Sequence, residues 1–568
     1  MSLRNRTACG VSLLSIVALA DTAHSQVREE PAAPSSSHTV ALVDPAHANP
    51  RIEPQIASGT IRVVTTEAKD DADLSSGERE IVVAYMQAGG SREQPPALPS
   101  VPSSEAVQER APANPAIRAY PRQADGHGIK LGGYNVSRWA EDWRMMSDPA
   151  KRDDPLDRLK YLPLGPNGFG YVTLSGEVRV RSNMISNPSL LPSEYRRENL
   201  LRVFGGADVH VGPLRFFGEL AHGELGGHNY GAPAGKSRND LIVQQAFGEI
   251  SGTVAGIGLG ARYGRQEFTD ATAGLLSSRD DNNIHYPLSG LRLWAQNKSL
   301  RIGLFDFEMV KLGLDGAGDD KADPATRFSG VNAGLVLSDT KSKKLFFDPF
   351  FWRERNDSIR WGNVTSREER YYLGARLWGS VEGLTFDWAV NHQHGNFDNR
   401  DINAWSAFVA QTYKVGSEGW EPKIGIHFDL GSGGGAFGKG TIRTSRAPTA
   451  GTIGYSYQGA LHLINLFQAS PNITVSPFED VDVTTEYQRS WRLSDQDAVY
   501  RGAGTAYAGS QNVDGSHVGD AIRVQASWKL AARVSLIARY EYFMPGKILD
   551  TLGHANSSYL ATWASLRC

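Results

Sequence analysis

From Gly170 onward the chain repeatedly alternates apolar with polar residues, and this alternation limits the folds open to it. In the first such segment Val172, Leu174, Val178 and Val180 share one face. Thr173, Ser175, Glu177, Arg179 and Arg181 share the other, because successive side chains of a strand point to opposite sides. The pattern returns with Leu201, Val203, Ala207, Val209 and Val211 against Arg202, Asp208 and His210, and with Ile424, Ile426, Phe428 and Leu430 against Lys423, His427 and Asp429. Near the end Ile522, Val524, Ala526 and Trp528 oppose Arg523, Gln525, Ser527 and Lys529, and Val534, Leu536, Ala538 and Tyr540 oppose Arg533, Ser535, Arg539 and Glu541. Turn- or loop-forming stretches lie between such segments, among them Asp315 to Asp320, Ser417 to Gly419 and Gly431 to Gly435.

A soluble sandwich alternates too, so the medium against the apolar face decides the class. The polar face is charged along its whole length, which a dry sandwich core could not accept. Aromatic residues gather in Phe346-Phe347, Phe350-Phe351-Trp352 and Tyr371-Tyr372, as expected of girdles at a membrane interface. Outside the N-terminus no apolar run approaches the roughly 18–20 residues of a spanning helix. The expected fold is therefore all-β, a transmembrane antiparallel barrel. At about 20–25 residues per strand and connection, the segment from Gly170 to Cys568 holds roughly 16–20 strands, enough for an aqueous lumen.

The flanking sequence defines the other parts. Arg4 and Arg6 precede an apolar run from Ala8 to Ala20, and Ala23-His24-Ser25 offers small residues for cleavage, so residues 1–25 read as a secretory signal. Cys9 leaves with it, and Cys568 alone cannot close a disulfide within the chain. Residues 26–130 are rich in Pro, Ala and Ser and read as a flexible periplasmic extension. Residues 131–568 are assigned to the barrel, beginning with an aromatic and charged stretch from Trp139 to Lys160. Export combined with strands places the protein in the outer membrane of a Gram-negative bacterium. Lipid and the barrel assembly machinery are its expected partners. Because Cys568 stands where such barrels usually end in an aromatic, weaker recognition by that machinery is expected.

With 59 Lys+Arg against 62 Asp+Glu, the net charge of -3 excludes nucleic-acid binding through bulk charge. Gly433 to Gly440 nearly spells a phosphate-binding loop, but Gly440 stands where Ser or Thr should hold a metal, so a glycine-rich surface loop is preferred. His392 and His394 share a strand face without further ligands, and Asp315 to Asp320 lacks the spacing of a calcium hand and reads as a solvated external loop. No catalytic residue, metal site or cofactor is expected. The remaining constellation is the arginines of the polar faces: Arg179, Arg181, Arg202, Arg215, Arg262, Arg292, Arg376, Arg523 and Arg539. Singly, each can be a lumen side chain paired with Glu177, Asp208, Glu219 or Glu541; as a set they would lower the barrier to anions in a narrow pore.

Several blocks resemble the bacterial alginate export porin family in order. Trp139-Ala140-Glu141-Asp142-Trp143 through Arg158-Leu159-Lys160-Tyr161-Leu162-Pro163-Leu164, then Leu174 to Arg181, is similar to its opening. Ala261 to Glu267, Ser278-Arg279-Asp280 and Ser289 to Leu293 resemble its Gly-Arg-Gln strand, arginine-bearing loop and returning strand. Pro422 to Gly433 and His517 to Gly546 match two later blocks, although the family's Ser-Gly-Asp becomes Ser432-Gly433-Gly434. The resemblance spans residues 134 to 568. It implies a monomeric barrel of about eighteen strands that exports an acidic polysaccharide through an arginine-lined constriction. Arg179 and Arg262 are carried over first as lumen arginines, then Arg181, Arg265 and Arg292.

The expected function is a passive outer-membrane channel for an anionic polysaccharide, such as an alginate-like polyuronate, or for a small anionic solute. A periplasmic export partner is an open expectation. Two alternatives stand beside this reading: a barrel enzyme acting on lipid or polysaccharide, and an energised uptake receptor with residues 26–130 as its plug.

Overall fold

A computed structural model describes residue 120, residues 130–131, and residues 134–568 apart from 166–168, 193, 417–418, 450 and 452. The expected signal peptide and nearly all of the expected extension lie outside the described residues. Eighteen strands form the wall. The first six are β1 (Gly170–Ser186), β2 (Tyr195–Val211), β3 (Leu214–His228), β4 (Asn239–Val254), β5 (Ile257–Gln266) and β6 (Leu288–Gln296). Then come β7 (Leu300–Lys311), β8 (Lys321–Asp339), β9 (Lys343–Trp361), β10 (Val364–Val381), β11 (Leu384–Phe397) and β12 (Arg400–Lys414). The last are β13 (Lys423–Gly431), β14 (Leu466–Phe478), β15 (Val481–Trp491), β16 (His517–Ala531), β17 (Val534–Pro545) and β18 (Ser557–Arg567).

Each strand pairs antiparallel with its neighbour in sequence, and β18 closes the wall on β1 with Leu566 opposite Val178 and Arg567 opposite Glu177. Closure removes both sheet edges, so every strand has a ladder on each side. One end is formed by tight turns such as Ala255-Gly256, where both residues have positive φ, as a two-residue hairpin matched to strand twist requires. The other end carries the long connections 267–287, 432–465 and 492–516. In barrels of this kind the short-turn end faces the periplasm.

The period-two reading holds in the wall. Leu174, Val180, Phe216, Ile250, Leu373, Val390 and Ile424 are exposed on the outside, a continuous apolar surface that only lipid would cover. Glu177, Arg179, Arg181, Arg202 and Arg523 point inward. One expectation needs correction. The aromatic doublets are not girdles: neighbours on a strand face opposite ways, so Phe346, Phe350, Trp352 and Tyr372 point into the barrel, and only Phe347, Phe351 and Tyr371 lie outside. The assigned segment 131–568 opens with a strap: residues 138–160 run through short 3-10 turns at the periplasmic end, and Leu162–Leu164 then pairs as a short strand with the start of β1.

The lumen is not simply a water-filled tube lined by charge. Connections 267–287 and 432–465 fold inward and join each other, with Leu276 bridging Thr449. Their Phe268, Leu275, Leu276, Tyr455, Leu461 and Leu463 pack on the inward Phe305, Phe307, Phe328, Trp352, Tyr372 and Phe408 of β7 to β12. Strand periodicity shows which way a wall residue points, but it carries no signal for loops that bring a second apolar surface to meet it.

Some of the wall is held by close backbone approach. Gly379 on β10 has φ +147, and a Cβ there would stand 1.9 Å from the Lys344 carbonyl oxygen on β9. Gly379→Ala should cost about 1–3 kcal/mol through strain and displacement, measured as a lower urea midpoint for loss of the heat-modifiable folded form.

Candidate lumen site

The inward arginines fall into separate groups, each tied to a different partner. In the first, Arg179, Arg181 and Arg202 come from β1 and β2, whose register places Arg179 opposite Arg202. All three reach connection 267–287. Arg179 donates to the carbonyls of Asp280 (2.7 Å) and Asn282 (2.5 Å), and Arg181 to the carbonyl of Asp281 (2.8 Å). Arg202 donates to the Asp280 carboxylate at 2.7 Å and to Glu177 at 3.0 Å, while Arg539 on β17 reaches the Asp281 carboxylate at 2.5 Å. His285 closes the group between Glu267 (2.6 Å) and Asp280 (2.9 Å).

Charge sets the titration of the loop groups. Burial alone would raise Asp280, but Arg202, His285 and Arg179 hold it well below the usual carboxylate range. Asp281 is lowered in the same way, against its burial, by Arg181, Arg539 and Arg179. Burial would lower His285, yet Glu267 and Asp280 raise it, so the imidazolium is favoured between two carboxylates. The two loop aspartates thus act as internal counter-ions for the arginines of the wall.

A second group lies where the strap meets β1, β3, β4 and β5. Arg138 donates to Glu177 at 3.1 Å and pairs closely with Glu219 on β3, and the Ser137 hydroxyl donates to Glu267 at 2.5 Å. The Arg262 guanidinium lies 3.8 Å from the centre of the Trp139 ring and 4.1 Å from that of Phe247, and it donates to Glu249 at 2.9 Å. Arg215 donates to Asp208 at 2.8 Å and also to the Trp139 carbonyl. Glu177 is shared among Arg138, Arg202 and Arg567, so one carboxylate links strap, wall and closing strand.

The remaining sequence candidates are dispersed. Arg292 lies 3.6 Å from Asp270, which Arg301 binds in a fork at 2.7 Å on both oxygens. Arg376 makes a fork with Asp387 at 2.7 Å, and Arg523 donates to Glu486 at 2.7 Å and lies 3.7 Å from Glu541. The pairings expected for Glu177, Asp208 and Glu541 are therefore present, whereas Glu219 is taken by Arg138. Arg265 does not join the lumen set: it shares the outward side of β5 with Tyr263, which is 71% exposed, and donates to the carbonyls of Val243 and Asp320.

Sequence reasoning missed several inward cations. Arg301 lies in the plain alternation Leu300, Ile302, Leu304 and was legible there; Arg370 likewise alternates with Glu369 and Tyr371. Arg446 sits in connection 432–465, outside any periodic segment, and donates to Glu354 (2.8 Å) and Glu368 (3.0 Å).

The glycine stretch 433–440 is only partly superficial. Gly434 is buried and its amide donates to the Asp497 carboxylate at 2.7 Å, an internal anion in place of a phosphate. Within 315–320, Asp319 accepts from the amides of Leu314 and Asp315, while Asp320 is buried against Asn239, which corrects the fully solvated reading. His392 and His394 stack at 5.9 Å on the outward side of β11 beside Tyr371. Among the described residues no group of three or more His, Cys, Asp or Glu side chains could hold a metal ion.

The family model described as alginate export matches residues 171–562. Among solved structures, OccAB1 of Acinetobacter baumannii is similar at 12% identity and TM-score 0.48, over 70% of this chain and 96% of that one. OccK2 (OpdF) of Pseudomonas aeruginosa in complex with glucuronate is similar at 12% identity and TM-score 0.44, over 70% and 97%. OccD3 (OpdP) of the same organism is similar at 11% identity and TM-score 0.46, over 72% and 93%. No curated protein matches the chain.

Proposed function

From the premise that this chain belongs to the alginate export family and is an outer-membrane barrel, we propose that it is a passive channel for carboxylate-bearing solutes. These would be an acidic polysaccharide of the alginate kind or a small organic anion, moving past the arginine groups of the lumen. The observation that carries this reading is the concentration of inward guanidinium groups on β1, β2, β5, β16 and β17. Guanidinium offers forked donors that match a carboxylate and keeps its charge at any physiological pH. The loop carboxylates of Asp280 and Asp281 already bind these arginines as a uronate would.

Planar-bilayer recordings test the reading. The native channel should prefer anions and be blocked by oligouronates, and Arg179→Ala with Arg262→Ala should shift the reversal potential toward cations as fixed positive charge is lost. An unchanged anion preference in a folded double variant would reject these two arginines as the determinants.

A further inference from the structure

The strap is attached to the barrel differently from anything else in the lumen. The wall is held by continuous backbone ladders, and the strap joins them only at Leu162–Leu164 on β1; among the described residues, 134–160 have no ladder with the wall and are held there by side chains at a few points. Arg138 binds Glu177 and Glu219, and the Trp139 ring packs against Phe247 at 6.3 Å. Farther along, Arg533 donates to the Tyr134 hydroxyl (2.8 Å) and to Asp157 (2.5 Å), and Thr173 donates to the Lys160 carbonyl. Elements with few backbone bonds to their surroundings open at lower free energy than the sheet they rest on.

The wall is arranged to survive their departure. Once Arg138 leaves, Glu177 keeps Arg202 and Arg567, and Glu219 keeps the Gln245 amide. Arg262 keeps Glu249. What changes are the surroundings of Arg262: its guanidinium lies 3.8 Å from the centre of the Trp139 ring, and among the described residues its Nη1 is buried with no hydrogen-bond partner. A buried cationic donor without an acceptor, beside an aromatic ring held only by side chains, offers a position for an anion once the ring withdraws.

We propose that residues 134–140 are a periplasmic gate seated on an anion site at Arg262, and that a carboxylate solute takes the place of Trp139 when the gate opens. The proposal rests on the channel reading and adds its regulation. In the closed state Trp139 covers Arg262 and Arg138 ties the gate to β1 and β3. In the open state the orphan Nη1 and the exposed face of Arg262 receive the carboxylate, with Glu249 fixing the guanidinium.

The experiment uses the full chain in planar bilayers with oligouronate as the probe. Arg138→Ala with Trp139→Ala should raise both conductance and uronate block. Adding Arg262→Ala should weaken the block about tenfold relative to the Arg138/Trp139 variant, the loss expected for one charge-assisted guanidinium–carboxylate pair. Equal conductance and block in the native channel and the Arg138/Trp139 variant would overturn the gate, and a block that survives loss of Arg262 would overturn the site. If the variant does not fold, hydrogen exchange on the native protein decides. Amides of residues 134–147 should exchange faster than those of β1 to β5 and faster still with uronate, and protection equal to the strands would overturn the gate. Anion preference of the native channel is recorded separately, so the channel reading stands or falls independently.

Discussion

Glu177→Ala should abolish most of the folded barrel, while Glu177→Gln should leave a folded but weakened one. Glu177 is 2% exposed and lies within ion-pair distance of Arg138, Arg202 and Arg567. Removing the carboxylate takes away the anion that three buried guanidinium groups share, leaving Arg138 on Glu219 and Arg202 on Asp280. Stranding one partner of a buried ion pair costs about 3–5 kcal/mol, a large part of the 5–15 kcal/mol that typically separates folded from unfolded chains. Glutamine keeps the volume and one accepting oxygen, so its cost should be about 1.5–3 kcal/mol, the range for a hydrogen bond to a charged group. The folded fraction by heat-modifiable migration and the urea midpoint measure both. Alanine behaving like the native chain would mean that the closing strand and the strap are held by other contacts.

This hub explains why part of the site was legible in the sequence and part was not. Glu177, Arg179, Arg181 and Arg202 stand in strict alternation, and alternation is a local property of the chain, so their inward direction could be read from neighbours alone. Their partners could not, because Asp280, Asp281 and Arg138 sit in segments without a period, about a hundred residues away in the case of Asp281 and Arg181. The same limit produced the misread aromatics. Phe350-Phe351-Trp352 signals a strand near an apolar medium, but only the pleat decides that Phe351 meets lipid and Trp352 meets the inward loops. Arg265 failed for a related reason: it follows Gly264, whose φ is +133, and stands one position off the face that carries Arg262.

The strap and the two inward connections also change what the arginines mean. A row of guanidinium groups read from sequence suggests an open, charged ring. In the folded chain nearly every one has an internal acceptor: loop carbonyls, loop aspartates or neighbouring wall carboxylates. Under the channel reading proposed above, a solute anion at most of these arginines would exchange with an internal ligand rather than bind an empty site. Such an exchange would favour carboxylates over weakly hydrogen-bonding anions, since a carboxylate restores the forked geometry that is lost.

The two inward connections should respond to pH in opposite directions, because each carries a buried histidine with a different environment. His462, in connection 432–465, is pushed down to about 4, first by burial and then by Arg279 and Arg446, and among the described residues its Nδ1 has no hydrogen-bond partner. Its value in an unfolded chain is about 6.5. Between those values the unfolded chain binds the extra proton, so stability falls as pH drops from about 6.5 to 4 and levels off below. The total is about 3 kcal/mol. His285, in connection 267–287, is raised by Glu267 and Asp280. Its contribution is fully present below the unfolded value and is lost only as pH rises through the folded one. The depressed Asp280 and Asp281 contribute above the usual carboxylate range and hold until the pH falls below it. Acidification from pH 6.5 to 4 should therefore loosen connection 432–465 while 267–287 stays docked on Arg179, Arg181 and Arg202. Hydrogen exchange of the two segments across that range measures the difference. His462→Gln should flatten the response of 432–465, because glutamine has no proton to gain. A response that persists in His462→Gln, or that is equal in both connections, would show that acid acts on the carboxylate network and not through this histidine.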